Sequence, residues 1–397
     1  MLDILIQKFG GTSVSNEEKR TQVVKKVKKA LKDGYRPVVV VSAMGRKGEP
    51  YATDTLLSLI DESFKNDNHQ ATDMLMCCGE FISTVVMCNE FYKHGIDAMP
   101  VTGGQAGIIT NDDFNFAEPV ETDMTFLNSL LEKNIVPVVS GFQGITKEGI
   151  FTTLGRGGSD TSAAILGVAL NAKEIEIYTD VDGIMTADPR IVGDAELISK
   201  ISYNEVFQFA EQGAKVIHPR AVETAMKGNI PIVVKNTMSD CEGTIINSVG
   251  DITSEKLYTG ITSVSNRIQV NIKLSLNNKE NYKHVLRVLA DNNISLDLIN
   301  IFPNEKIFTI DSKDKQNLEE TLASIGIKFT LIENCSKISI IGSRIAGIPG
   351  VVAKIVDTLD EVNIPVLQTA DSHTTIWCLI EDKHTKKAIQ TLHNILL

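Results

Sequence analysis

The chain of 397 residues lacks most signatures of covalent, redox and metal chemistry. Its six cysteines, Cys77, Cys78, Cys88, Cys241, Cys335 and Cys378, form no CxxC pair and have no histidines at ligand spacing. Neither a zinc site nor a disulfide framework is supported, and the cysteines are expected to be reduced core residues. No GxGxxG fingerprint follows a strand and GxxxxGK[ST] is absent, so a dinucleotide fold and a Walker loop are both unsupported. A GxSxG elbow, an HExxH pair and a Cys/His pairing are missing as well.

Long hydrophobic runs are scarce too. A membrane span needs about 18 consecutive apolar residues, and the longest candidates, PVVVVSAM and AAILGVAL, read as a buried strand and a helix face. Positive charge is in the minority, at 39 Lys and Arg against 50 Asp and Glu, a net −11. Nucleic acid is therefore not expected as a partner, because phosphate contacts need clustered basic residues. The most basic stretch, KKVKKALK (residues 25–32), alternates with Val23, Val24, Val27 and Leu31 at helical spacing and reads as a solvated helix face. Met1 leads straight into the apolar LDILIQKFGG, with no basic region or small-residue cleavage site, so a cytoplasmic location without membrane association is expected.

What is present is an ordinary globular composition, 43% hydrophobic, on a chain long enough for two or three domains. Through about residue 240, β-branched runs alternate with amphipathic segments, the pattern of an α/β domain with a mostly buried sheet. ILIQKF, PVVVVSA, IVPVVSGF, EIEIYTD and IPIVVKN are the predicted strands, and the small or polar residues that end them lie where open α/β sheets place ligands. A Gly/Ser/Thr/Asp-rich stretch at residues 240–254 marks a domain boundary.

Past that boundary the chain repeats itself at an offset of about 70 residues. Ile268 and Val270 superpose on Ile338 and Ile340, Val285, Leu289 and Ile294 on Ile355, Leu359 and Ile364, and Leu322 on Leu392. Each repeat reads as the ferredoxin-like βαββα pattern, either a small-molecule-binding regulatory region or a packing module.

Four stretches and one further glutamate carry the candidate chemistry. KFGGTSV (residues 8–14) ends a strand with a lysine and two glycines, suited to cradling phosphate or simply to a tight turn. GRGGSD (residues 155–160) opens a helix and places Arg156 to hold a carboxylate bidentately, unless it is only a capped turn. In IYTDVDGIMTADPR (residues 177–190) the DVDG lacks the further acidic positions of an EF-hand, so Thr179, Asp180 and Arg190 suit a nucleotide better than calcium. GAKVIHPRAVETA (residues 213–225) offers Lys215 to a phosphate or to solvent, with His218 reading as a packed turn residue, and Glu80 heads an apolar helix where it either favours the dipole or binds an ammonium. Glycine loops, lysines, arginines and a few carboxylates suit phosphoryl transfer, which works by positioning and charge neutralisation.

In order, KFGGTSV, VVSAMG, TTLGRGGSDTSAAI and YTDVDGIMTADPR with GAKVIHPRAVE resemble the aspartokinases of the amino acid kinase family over the whole chain. The resemblance implies a three-layer α/β/α sandwich (1–243), a linker (244–256) and two ferredoxin-like ACT domains (257–331 and 332–397). It implies ATP- and Mg²⁺-dependent phosphorylation of the β-carboxylate of L-aspartate, the first step towards diaminopimelate, lysine, threonine and methionine. On that resemblance Lys8 neutralises the transferring phosphoryl group, the Phe9–Gly10–Gly11 turn supplies backbone donors, and Asp160 organises the lysine and the magnesium-bound phosphates. Thr53, Glu80, Arg156, Gly158 and Ser159 hold aspartate, with Glu80 on the ammonium, while Thr179, Asp180, Arg190 and Lys215 bind ATP.

The segment GRKGEPYATD is longer than the usual turn, so Thr55 is an alternative to Thr53. An amino-acid effector at the ACT domains and a homodimer are also implied. The closing QTADSHTTIWCLI resembles the diaminopimelate-sensitive type of spore-forming bacteria, with lysine or threonine as the alternative effectors. The first ACT unit is commonly inserted into the second, which would place LYTGITSV (residues 257–264) with the C-terminal unit. A catalytically silent amino-acid sensor would require damage at Lys8, Arg156 or Asp160, and all three are intact.

Overall fold

The computed structural model describes every residue except 1, 214–215, 252–255, 275–278, 344 and 346. Two compact units emerge, one of Met1–Ile184, Leu197–Ala210 and Lys215–Ser254, the other of Met185–Glu196, Glu211–Ala214 and Glu255–Leu397.

The first unit contains strands β1 (Ile4–Phe9), β2 (Arg36–Val41), β3 (Ala98–Val101), β4 (Ile108–Thr110), β5 (Pro119–Thr122), β6 (Val136–Ser140), β7 (Gln143–Ile145), β8 (Phe151–Thr153), β9 (Glu174–Thr179), β10 (Lys200–Ser202), β11 (Ile232–Asn236) and β12 (Thr244–Asn247). Eight of them form one sheet in the order β10-β12-β11-β9-β1-β2-β6-β3. The five predicted strands are its parallel centre, β11-β9-β1-β2-β6, where Val and Ile runs are buried on both faces. β4, β5, β7 and β8 make a separate four-stranded sheet that the sequence reading did not anticipate. Strand β12 lies inside the stretch read as a linker and pairs with both β10 and β11.

Strand alternation decides what faces the ligand side. Phe9 points into a core with Val39, Val41, Val138 and Tyr178, covered by Val23, Val24 and Val27 of the helix Glu17–Lys32 and by Met87 and Phe91 of the helix His69–Lys93. Lys8 therefore points to the opposite face, over which the helix Gly158–Ala169 runs. Asn16 caps the helix Glu17–Lys32 by accepting from Lys19 N at 3.0 Å.

The helix His69–Lys93 is long and apolar enough to cross a membrane by length and composition alone, a feature hidden in the sequence by its interrupting charges. Half of its most apolar window is buried inside the unit, and Asp73, Glu80 and Glu90 along it are all engaged by neighbours. It is a core helix of the sandwich.

The second unit adds β13 (Gly260–Lys273), β14 (Asp297–Phe302), β15 (Glu305–Asp311), β16 (Phe329–Ile341), β17 (Gln368–Asp371) and β18 (Thr375–Glu381) in the order β14-β15-β13-β16-β18-β17. The repeated positions build two cores: Ile268, Val270, Val285, Leu289, Ile294 and Leu322 line one, and Ile338, Ile340, Ile355, Leu359, Ile364 and Leu392 the other. Tyr258 and Ile261 join the second core, so the segment LYTGITSV packs with the C-terminal repeat.

A segment of the nucleotide-type motif joins that core too. Ala187 and Val192 are buried in it, Ile261 N donates to Thr186 O at 2.7 Å, and the Thr186 hydroxyl lies 2.9 Å from His393 Nε2. Of the cysteines expected in the core, Cys77, Cys335 and Cys378 are fully buried, whereas Cys78, Cys88 and Cys241 are half-buried.

Candidate active site

A cleft of about 340 Å³ opens at the carboxyl ends of β1 and β2, where an open α/β sheet leaves room beyond its strands. It brings together Lys8, Gly11, Thr53, Glu80, Arg156, Gly158, Ser159 and Asp160 from a strand end, a glycine turn and four helices.

Lys8 and Asp160 form the centre. The Lys8 ammonium lies 2.6 Å from an Asp160 carboxylate oxygen, with both side chains mostly shielded. Asp160 sits in the first turn of the helix Gly158–Ala169, where a carboxylate also meets the positive end of the helix dipole.

Glu80 is the most unusual group. It is 2% exposed, and one carboxylate oxygen accepts from Ala43 N at 3.0 Å while the other has no partner among the described residues. Burial pushes its pKa up to about 8, opposed chiefly by the Ala43 hydrogen bond. A buried carboxylate with a vacant lone pair in a cleft fits an ammonium group, which would restore its charge.

Arg156 is exposed and makes no hydrogen bond or ion pair among the described residues, leaving its guanidinium available. Its backbone setting is narrow. Gly155 and Gly157 flank it at φ +72° and +69°, and a Cβ at Gly157 would lie 2.1 Å from the His218 ring. Gly157→Ala is therefore expected to cost at least about 2 kcal/mol, from left-handed strain plus displacement of His218. Thermal denaturation checks this, and an unchanged midpoint would contradict it.

The two threonines share the short helix Thr53–Leu57, which follows the loop after β2, but differ in what they meet. The Thr55 hydroxyl accepts from Gly48 N at 3.1 Å and braces the loop, whereas Thr53 lines the cleft. Gly11 is needed for close approach, since a Cβ there would sit 2.4 Å from Ala43 O.

Other expected contributors are not among the residues that line this cleft. Phe9 is wholly buried, its ring stacked on Tyr178 at 4.6 Å on the face away from Lys8, so no side-chain contact with a nucleotide is open to it. The Gly10 amide is taken by Tyr178 O at 3.3 Å, a sheet continuation that removes it as a free donor. Thr179 and Asp180 stand at the end of β9 outside the cleft lining, with Asp180 bound to Arg46 at 2.7 Å. Arg190 belongs to the second unit, where its guanidinium bonds to Asp188 and holds that carboxyl below the usual range. Lys215 lies outside the described residues. Asp182, in the DVDG rejected as a calcium loop, accepts from Asn236 and Ser239.

Sequence reasoning missed Arg46 and Lys47, which also line the cleft. Their signal was the length of GRKGEP itself, two cations between glycines directly after a strand.

A parallel sheet presenting a lysine, glycine turns and helix-borne carboxylates at its carboxyl edge defines a phosphoryl-transfer enzyme. Residues 3–236 match the amino acid kinase family and residues 330–394 an ACT domain. The chain is 43% identical over 401 residues to Aspartokinase 1 of Bacillus subtilis, covering 99% of both. It superposes on E. coli aspartokinase III in complex with aspartate and ADP at a TM-score of 0.75, with 25% identity and 99% of each chain covered. The same enzyme in complex with lysine and aspartate gives a TM-score of 0.76 at 25% identity over the full length of both chains. The chain belongs to the amino acid kinase family and, within it, to the aspartokinases.

Proposed function

We propose that the chain transfers the γ-phosphoryl group of ATP to the β-carboxylate of L-aspartate, giving 4-phospho-L-aspartate. The observation that carries this reading is the unpartnered buried oxygen of Glu80 in one cleft with the free guanidinium of Arg156 and the Lys8–Asp160 pair. Glu80 takes the ammonium, Arg156 a carboxylate, and Thr53, Gly158 and Ser159 complete the acceptor site.

The nucleophile needs no general base. A β-carboxylate has a pKa near ~4 and is already ionised at neutral pH. The obstacle is repulsion between it and the triphosphate, which Lys8, Arg156 and the cationic Arg46–Lys47 loop offset. Asp160 holds the Lys8 ammonium in place.

Among the described residues no three metal-ligating side chains converge. That donor set fits Mg²⁺ arriving on the nucleotide, because this ion is usually held by substrate phosphates and one or two carboxylates. Asp160 is the carboxylate in the cleft nearest Lys8 that would meet it, and the ion would neutralise phosphate charge there.

Incubation with ATP, Mg²⁺, aspartate and hydroxylamine should give aspartyl hydroxamate. Product with glutamate but none with aspartate would sink the assignment.

We further propose feedback inhibition through the ACT repeats by meso-diaminopimelate, on the resemblance of residues 368–380, in a cytoplasmic homodimer. The edge strand β14 supports self-association, since it exposes Ile299, Ile301 and Phe302. Inhibition by lysine or threonine but not by diaminopimelate would replace the effector, and sedimentation as a monomer would remove the dimer.

A further inference from the structure

Two charged side chains outside the cleft lining grip the loop that carries Arg156. Asp73, in the helix His69–Lys93, is 0% exposed, yet among the described residues no cation forms an ion pair with it. Its oxygens accept from Thr153 N at 2.7 Å, from Thr153 Oγ1 at 2.8 Å and from Asn115 N at 3.0 and 3.1 Å. Burial raises its pKa while these hydrogen bonds pull it back down.

From the opposite side, Arg220 in the first turn of the helix Pro219–Gly228 donates to Leu154 O at 2.6 Å and to Ala117 O at 3.4 Å. Between them several further peptide groups are also satisfied. Thr153 O accepts from Ala117 N, Leu154 N donates to Phe142 O, Gly155 O accepts from Gly158 N and Gly157 O from Thr161 N. His218 closes the assembly by packing flush on Gly157.

The backbone is thus held at Thr153 and Leu154 on one side of Arg156 and at the Gly155 and Gly157 carbonyls next to it, while the guanidinium is left free. Burying an uncompensated carboxylate is costly, and a strand end does not require it, because ordinary ladder or water contacts would satisfy one amide. What the arrangement provides is a fixed origin for a long, flexible side chain, which lowers the entropy lost when the guanidinium meets a carboxylate.

We propose that Asp73 and Arg220 are positioning residues for acceptor binding, acting through Arg156 by locking the Thr153–Gly158 backbone. This rests on the assignment of Arg156 to the acceptor carboxylate.

The test is a double-mutant cycle on the full chain. Arg220→Met should raise KM for aspartate about 10- to 100-fold, on the scale of misplacement effects in positioned sites, with KM for ATP unchanged. Arg220→Lys, which keeps one donor direction, should fall between. In an Arg156→Met background, adding Arg220→Met should change the aspartate KM by less than about threefold. Asp73→Asn should behave like Arg220→Met if it folds, and the Arg220 series decides the matter if it does not.

Equal factors in both backgrounds, or a lowered melting temperature with unchanged aspartate KM, would overturn the inference. Wild-type enzyme that forms no aspartyl hydroxamate would instead overturn the acceptor assignment itself, so the two failures are distinguishable.

Discussion

Replacing Lys8 with methionine is expected to lower kcat by about 10³- to 10⁴-fold, or about 4 to 5.5 kcal/mol of transition-state stabilisation. Methionine matches the lysine stem in volume, so strand β1 and its fully buried neighbours Ile6 and Phe9 should keep their packing. The loss is electrostatic and has two parts. One preorganised donor facing the transferring phosphoryl group disappears, which alone is worth about 10²–10³. Asp160, 2.6 Å from the missing ammonium, is then left as an uncompensated negative charge beside that group. For the same reason the effects should not multiply: Lys8→Met with Asp160→Asn should lose less than the product of the two single losses. Steady-state rates at saturating ATP and aspartate check this, and a kcat within tenfold of wild type would show that Lys8 is not at the phosphoryl group.

Glu80→Gln is expected to reduce kcat/KM for aspartate by about 10²- to 10³-fold, the scale of breaking a buried ion pair. It should not destabilise the fold. The folded-state pKa of Glu80 is raised to about 8, above its unfolded value, so its charged form opposes folding and stability falls as pH rises from about 4.5 towards 8. Glutamine removes that penalty, and above pH 8 the variant should melt at or above the wild-type temperature.

The same shift sets the pH dependence of binding. Below about pH 8 the free enzyme holds Glu80 protonated, and capture of an ammonium must expel that proton. KM for aspartate should therefore rise towards tenfold per unit as pH falls below 8, and the profile should be flat in Glu80→Gln. A pH-independent KM in the wild type would mean that Glu80 does not meet the ammonium.

What could be read from sequence was what is local. Of the five central strands, β2, β6 and β11 carry runs of buried Val and Ile that composition alone marks, and β1 and β9 show as short segments holding buried Ile with an aromatic near the end. β4, β7 and β8 are three residues long and the four of β5 are exposed, too short and too mixed for a period of two to register.

The site divides the same way. KFGG and GRGGSD announced Lys8, Arg156 and Asp160 because glycine and charge at a strand-to-helix turn form a local signal. That the Phe9 side chain packs into the core was not legible, because a motif does not say which face of a strand each residue takes, nor was it legible that the segment of Arg190 folds with the other unit. Asp73 and Arg220 were invisible for a different reason: their partners lie 80 and 66 positions away, at Thr153 and Leu154, and only the folded chain brings them together.

The central claim is that the acceptor's own β-carboxylate attacks phosphorus. Aspartate labelled with ¹⁸O in the β-carboxylate, turned over with ATP and trapped with hydroxylamine, tests it directly. Attack by that carboxylate places one of its oxygens in the P–O–C bridge, and hydroxylamine, attacking the acyl carbon, expels phosphate carrying it. The account predicts one ¹⁸O per phosphate released with the hydroxamate; phosphate without label would contradict it.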